Sequence, residues 1–281
     1  KTKTREKMKH LTLNNGVSIP QLGLGTYRLG SSDESVYNAV RSAIDLGYRH
    51  IDTAAFYQNE APIGKAIMDS GVSRDNLFVT TKLWGDDIVN ERIEQAFDKS
   101  MRLLDIDYLD LYLVHWPVKS KVAYAWQKLE QIYAAGKTRA IGVSNHLQHH
   151  LEDILDIAET KPAVNQIEYH PYLTSEQLVS WCKSHDIICQ SWSPLGSSKI
   201  PLLEEETLIE IGNKYQKSSA QIVLRWNIEK GIITIPKSSN AKRQAENYNI
   251  FDFQLTPDEI KEISALNKDY RTGIHPDEIG F

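Results

Sequence analysis

Asp52, Tyr57, Lys82 and His115 are the residues of this sequence best suited to moving a proton. A lysine brought beside a tyrosine favours the phenolate and draws the phenol pKa down from about 10. A carboxylate beside that lysine keeps it charged and fixed. Together they make Tyr57 a candidate general acid, with an imidazole at hand to orient a substrate oxygen. Taken singly, each has a plainer reading. Asp52 can cap a helix, Lys82 can be a solvated surface lysine, and His115 ahead of Trp116-Pro117 can be a satisfied core histidine. Their positions argue for the joint reading. Asp52, Lys82 and His115 each close a short apolar run, and Tyr57 follows Asp52 by five residues.

The runs that must position them are Leu22–Gly25, Arg49–Asp52, Leu77–Lys82, Leu109–His115, Ala140–Asn145, Ala163–Glu168, Ile187–Trp192 and Ile232–Lys237. Nearly all carry polar residues at their C-terminal ends: Ser144 and Asn145, Gln166, Ser191 with Trp192, and Lys237. A (β/α)8 barrel gathers the C-terminal ends of its strands around one mouth, where its active site sits. Helices are expected over Ser35–Leu46, Glu60–Ser70, Asn90–Leu104, Ala123–Ala135, Leu147–Ala158, Ser175–Ser184, Leu203–Tyr215, Ser218–Lys230, Ala241–Tyr248 and Pro257–Leu266, the last capped by Thr256. Asn14-Asn15-Gly16 predicts a hairpin over Leu11–Ile19 ahead of the first barrel strand. The fold class is therefore α/β, a (β/α)8 TIM barrel with an N-terminal β-hairpin and two extra helices. A doubly wound open sheet competes. It would want G-x-G-x-x-G after its first strand, where the chain has Gly23-Leu24-Gly25-Thr26-Tyr27-Arg28.

The 281 residues suit one such domain spanning 1–281. An apolar content of 41% supplies one sizeable core, and a net charge of -5 with no basic stripe argues against nucleic acid or an anionic membrane surface as partner. No apolar run approaches the roughly 20 residues of a membrane span. Cys182 and Cys189, in a predicted helix and a predicted strand, fit a reducing compartment better than a structural disulfide. Lys1–Lys9 is basic without the apolar stretch of a secretory signal. Met8 is a candidate native start, and Lys1–Lys7 is open to two readings, a non-native remnant or an extension. His146, His149 and His150 share a helix face, but no acidic partner accompanies them in sequence, so no metal site is expected.

Eight segments, in order, carry a resemblance: Gly23-Leu24-Gly25-Thr26, Asp52–Glu60, Thr81-Lys82-Leu83-Trp84, Leu113–Pro117, Gly142-Val143-Ser144-Asn145, Asn165–Pro171, Trp192–Gly196 and Ile235–Ser238. The chain resembles the aldo-keto reductase superfamily over nearly its whole length, and most of all the small bacterial branch of diketogluconate and methylglyoxal reductases. The resemblance implies a catalytic tetrad of Asp52, Tyr57, Lys82 and His115. It implies hydride transfer from NADPH to a carbonyl carbon, with Tyr57 protonating the oxygen. The cofactor supplies the hydride and the protein supplies orientation and electrostatics. Ser144, Asn145 and Gln166 suit the nicotinamide carboxamide. Trp192, where the family often has Tyr, gives a stacking face. Ser193, Leu195 and Ser197 lie on the loop that would follow the pyrophosphate, and Gly25, Thr26, Tyr27 and Asp52 border the cofactor. Lys237, Ser238, Ser239 and Arg243 resemble the 2′-phosphate clamp, which favours NADPH/NADP+ over the form without that phosphate. Ser239-Asn240 departs from the commoner Val-Thr pair. Glu246 and Asn247 match adenine contacts.

Tyr27, Trp84, His115 and Trp116 are expected to line a pocket for a small-molecule carbonyl substrate. The short segment Val118–Tyr124 and the short tail imply an open site with broad tolerance. The reading is completed by a cytoplasmic location and a monomeric state. Two alternatives stand beside it: a non-catalytic nicotinamide-binding redox sensor or subunit on the same fold, and a metal-dependent barrel hydrolase. The second lacks the H-x-H pair it would want at an early strand end.

Overall fold

The computed structural model describes residues 8–281; Lys1–Lys7, and with them the question of a remnant or an extension, lie outside the described residues. A hairpin of β1 (His10–Thr12) and β2 (Ser18–Pro20) comes first. The barrel strands follow: β3 (Leu24–Gly25), β4 (His50–Asp52), β5 (Phe78–Leu83), β6 (Leu111–Val114), β7 (Ile141–Ser144), β8 (Val164–Glu168), β9 (Ile188–Trp192) and β10 (Ile233–Thr234). They pair in parallel in chain order. The ring closes where Thr234 N–H donates to Gln21 O and Gly23 N–H to Thr234 O, both at 2.9 Å, with bridges Leu22–Thr234 and Gly25–Lys237. The (β/α)8 architecture expected from the strand ends is therefore present.

Most of the strands are shorter than the apolar runs that announced them. The runs continue beyond the regular strands as buried backbone with isolated pairing, as at Leu109, bridged to Thr138, and at His115, whose N–H donates to Leu83 O. Helices α1 (Asp33–Leu46), α2 (Glu60–Asp69), α3 (Gly85–Val89), α4 (Ile93–Leu104), α5 (Val122–Ala134), α6 (Gln148–Leu155), α7 (Glu176–Ser184), α8 (Glu206–Tyr215), α9 (Ser219–Glu229), α10 (Ala241–Tyr248) and α11 (Pro257–Ser264) complete the described elements. The helix expected over Asn90–Leu104 is present as α4, which starts three residues later, and the short α3 precedes it. Between them Glu91 takes φ 54°, the left-handed region, which ends one helix before the next begins. Beyond the barrel helices stand α8, α11 and the short α3. Thr256 caps α11 as expected, its side chain accepting from Glu259 N–H.

Two cores result. Helix faces pack on the outward strand residues, among them Ile51, Val79, Tyr112 and Val143. The hairpin closes the barrel's N-terminal end, placing Leu13 and Ile19 with Phe78, Leu111, Leu113, Val164 and Ile233. Side chains alternate along a strand. Phe78 faces inward in this lower layer, so Lys82, four residues on, faces inward at the other end. The apolar plug thus leaves the upper barrel layer free to be polar. No helix of the described residues is long and apolar enough to cross a membrane.

Candidate active site

Register brings the tetrad together. Asp52 pairs with Thr80 across β4 and β5, and Lys82 with Leu113 across β5 and β6. Asp52 is 1% exposed and Lys82 0%, so their contact is made out of water. Lys82 Nζ donates to Asp52 Oδ1 at 2.5 Å, to Thr53 O at 2.8 Å and to Tyr57 Oη at 3.3 Å. All three ammonium hydrogens are used, which is what a buried ammonium requires. Tyr57 ends a short 3₁₀ turn, Ala55–Tyr57, that begins just beyond β4. Its ring lies 5.6 Å from that of His115, edge to face.

Burial alone would pull the Lys82 pKa down, but the Asp52 carboxylate overrides it, and the net shift is upward. His115 is held well below the ordinary imidazole range, first by burial and then by Lys82, and is neutral near pH 7. Tyr57 corrects the sequence expectation. Its pKa is raised, because burial outweighs the lowering by Lys82. A general acid must carry its proton at working pH, so the raised value keeps Tyr57 loaded.

The polar groups expected at the nicotinamide converge on the same level. Gln166 Nε2 donates to Asp52 Oδ2 at 2.7 Å. Ser144 Oγ donates to Gln166 O at 2.8 Å. Asn145, at φ 60°, turns the chain sharply off β7. Its amide donates to His115 O and to Ser144 Oγ, and its Oδ1 accepts from Trp192 Nε1 at 2.8 Å. Both Asn145 amide hydrogens are engaged, so toward a ligand it offers only its oxygen. Trp192 is half-buried at the end of β9. Gly25 lies where any Cβ would meet Ile235 O at 2.5 Å, so only glycine lets β3 close on the last strand here. Thr26 Oγ1 donates to Asp52 O at 2.8 Å. These residues fit a nicotinamide: a partly open aromatic face beside buried amides with acceptor capacity left over.

Farther out, Ser193 and Ser197 hydroxyls bond each other, both residues at positive φ, and Leu195 is half-buried between them. Lys237 and Arg243 are exposed and make no ion pair among the described residues. The loop holding them is fixed by Gln244 Nε2 donating to Ser238 O and by the Asn240 side chain capping α10 at Arg243 N–H. Ser239 and Glu246 are exposed, and Asn247 is buried. Two free cations, Lys237 on the held loop and Arg243 in the first turn of α10, suit a phosphate.

Tyr27, 44% exposed, lies 5.1 Å from the Tyr57 ring, and Trp84 lies 5.3 Å from His115. Trp116 is half-buried. Sequence reasoning missed two further walls. Phe56 stacks on Trp84 at 4.0 Å, and Phe281 meets Trp84 edge-on at 5.1 Å. Phe56 was discoverable, since it abuts Tyr57. Phe281 carried no signal.

The aperiodic tail proves to be anchored. Buried Glu168 accepts from Thr272 N–H, Thr272 Oγ1 and Gly273 N–H, and contacts His170 Nε2 at 2.7 Å. A Cβ on Gly273 would lie 2.7 Å from Trp192, so the tail passes directly against that ring. The histidine face also finds the acid that sequence did not supply: Asp277 Oδ1 lies 2.8 Å from His149 Nε2 and 3.4 Å from His150 Nε2. His150 Nδ1, however, accepts from Leu147 N–H at 2.9 Å. Neutral His150 therefore carries its proton on Nε2, facing Asp277. A metal taking that nitrogen would have to displace the proton, and it would sit at the positive end of α6. The cluster holds the tail.

The family model described as aldo/keto reductase family matches residues 21–268. The chain belongs to the aldo/keto reductase family. A glyoxal reductase of Bacillus subtilis (strain 168) is 48% identical over 269 residues, 96% of each chain. A methylglyoxal reductase of Escherichia coli (strain K12) is 41% identical over 272 residues, 96% of this chain and 98% of that one. Among solved structures, an aldo-keto reductase from a Medee basin deep-sea metagenome library superposes with a TM-score of 0.94 at 40% identity, covering 96% of this chain and 100% of that chain. The aldo/keto reductase family thus supplies an oxidoreductase context for the buried Asp52–Lys82–Tyr57 contact.

Proposed function

We propose that this aldo/keto reductase reduces small aldehydes, ketones, dicarbonyls and keto sugars to alcohols with NADPH. The observation that carries the reading is the buried Lys82 ammonium spanning Asp52 and Tyr57 beside a neutral imidazole. NADPH, when bound, supplies the hydride. Tyr57 Oη gives its proton to the substrate oxygen as that oxygen gains charge, and Lys82 stabilises the phenolate left behind. Asp52 keeps Lys82 charged and in place. His115 Nδ1 is buried without a partner, which leaves Nε2 as the nitrogen to orient the carbonyl. Tyr27, Phe56, Trp84 and Trp116 exclude water and accept the apolar part of a small substrate.

Ser144, Asn145 and Gln166 would hold the carboxamide and Trp192 the ring. Ser193, Leu195 and Ser197 would follow the pyrophosphate. Lys237, Ser238, Ser239 and Arg243 would take the 2′-phosphate, with Glu246 and Asn247 at the adenine. The two unpaired cations favour NADPH over NADH. The relatives named for glyoxal and methylglyoxal reduction place α-dicarbonyls first among substrates to try. The groups assigned to the site all lie on one chain, which is consistent with a monomer as the working unit. Two buried thiols suit the cytoplasm. The test is NADPH oxidation across a panel of aldehydes, α-dicarbonyls, ketones and keto sugars. Turnover with several small carbonyls is expected. No NADPH oxidation with any of them would refute the reading.

A further inference from the structure

We infer that Gln190 is a positioning residue that occupies the second amide hydrogen of Gln166, so that the cofactor meets only the oxygen of that amide. The inference rests on the cofactor reading above and deepens it. Asp52 holds Lys82 through Oδ1, so it is ionised and can only accept. Its Oδ2 therefore faces the nitrogen of Gln166, at 2.7 Å. One amide hydrogen of Gln166 remains, and Gln190 Oε1 takes it at 2.5 Å. Gln166 and Gln190 are register partners on β8 and β9, and both are buried.

Gln190 cannot be turned over, because its NH2 would then face the NH2 of Gln166. The arrangement leaves Gln190 Nε2 buried without a partner, an unfavourable state for a donor. That orphan is the consequence of fixing the oxygen. Both Gln166 hydrogens are thus spent inside the protein. Its Oε1 has no hydrogen-bond donor among the described residues, and it is the atom left for a ligand. A carboxamide placed there must offer its NH2 to Gln166, because an oxygen would face an oxygen. Gln190 in this way selects for an amino group on the pyridine substituent.

The experiment compares the dissociation constants of NADPH and of its 3-acetylpyridine analogue, in which methyl replaces that NH2, by calorimetry. The unaltered protein should prefer NADPH by about 5- to 10-fold, the worth of one hydrogen bond. Gln190→Met frees one Gln166 hydrogen, and the preference should fall to within about 2-fold of none. Gln190→Glu restores an acceptor in either protonation state and should restore the preference. General loosening of the barrel would weaken both ligands alike and leave their ratio unchanged. Should Gln190→Met fail to fold, Gln190→Asn withdraws the acceptor by one methylene and gives the same reading. A Gln190→Met or Gln190→Asn protein that keeps the unaltered ratio overturns the inference, as does an unaltered protein that binds NADPH without preferring it. An unaltered protein that binds neither ligand overturns the cofactor reading itself.

Discussion

Lys82→Met removes the buried cation and keeps the length of the side chain. Lys82 Nζ lies 3.3 Å from Tyr57 Oη. At an effective dielectric of about 20, a unit charge pair at that distance interacts by about 5 kcal/mol. With the Tyr57 proton roughly half transferred in the transition state, about half of that stabilisation is lost, which raises the barrier by about 2–3 kcal/mol. At 1.36 kcal/mol per tenfold, kcat should fall on the order of 10²-fold. The pH profile should move in a defined direction. Tyr57 is already raised by burial, and Lys82 is its largest lowering influence. The alkaline limb of the residual activity should therefore lie at higher pH than in the unaltered enzyme. Breaking a buried pair from one side costs about 3–5 kcal/mol of stability, so urea unfolding must first show that the variant is folded at the assay temperature. Initial rates of NADPH oxidation across pH, with the best carbonyl of the substrate panel, give both quantities. A folded Lys82→Met enzyme with unaltered kcat and an unmoved alkaline limb would refute the electrostatic argument.

Arg243→Ala should weaken NADPH about 10- to 150-fold, the worth of a charge-assisted hydrogen bond, and leave NADH nearly unaffected; equal weakening of both in fluorescence titration would remove Arg243 from the phosphate site. Gly273→Ala should displace Trp192, since its Cβ would lie 2.7 Å from the ring; weaker NADPH binding is expected, and unaltered binding would show that the tail does not back that ring. His50, His115 and His146 are buried with pKa values lowered mainly by burial, His146 to about 3. The unfolded chain takes up their protons below about pH 6.5 while the folded one does not, so stability is full above that pH and falls as pH drops toward the folded values. Each histidine contributes up to about 1.4 kcal/mol per pH unit, and a urea midpoint that stays flat from pH 6.5 to 5 would contradict this.

The sequence carried the architecture because local signals agreed with the global fold. Apolar runs with polar C-terminal ends alternate with capped helices, and α10 begins where expected because Asn240 caps it. Asp52, Tyr57, Lys82 and His115 were legible because each closes or follows a strand run, and closure of the ring does the rest. What escaped depends on packing between distant segments. The pKa of Tyr57 follows burial, which no spacing encodes. Phe281 reaches Trp84, and Glu168 grips Thr272, across about a hundred residues or more of chain with no shared period. Asp277 lies more than a hundred residues from the histidines it joins. Gln190 was readable but overlooked: it lies two residues before Trp192, on the same inward face, inside a run that looked apolar.

The central claim is that hydride passes from NADPH to a carbonyl carbon while Tyr57 protonates the oxygen. The most direct measurement runs the best substrate of the panel with NADPH deuterated at the transferring carbon, using unaltered enzyme and Tyr57→Phe, and follows deuterium in the product alcohol by mass spectrometry. The account predicts one deuterium on the carbinol carbon for each NADPH oxidised. It predicts that Tyr57→Phe binds NADPH normally and turns over about 10²–10⁴-fold more slowly. An alcohol without deuterium, or a Tyr57→Phe enzyme as fast as the unaltered one, would contradict it.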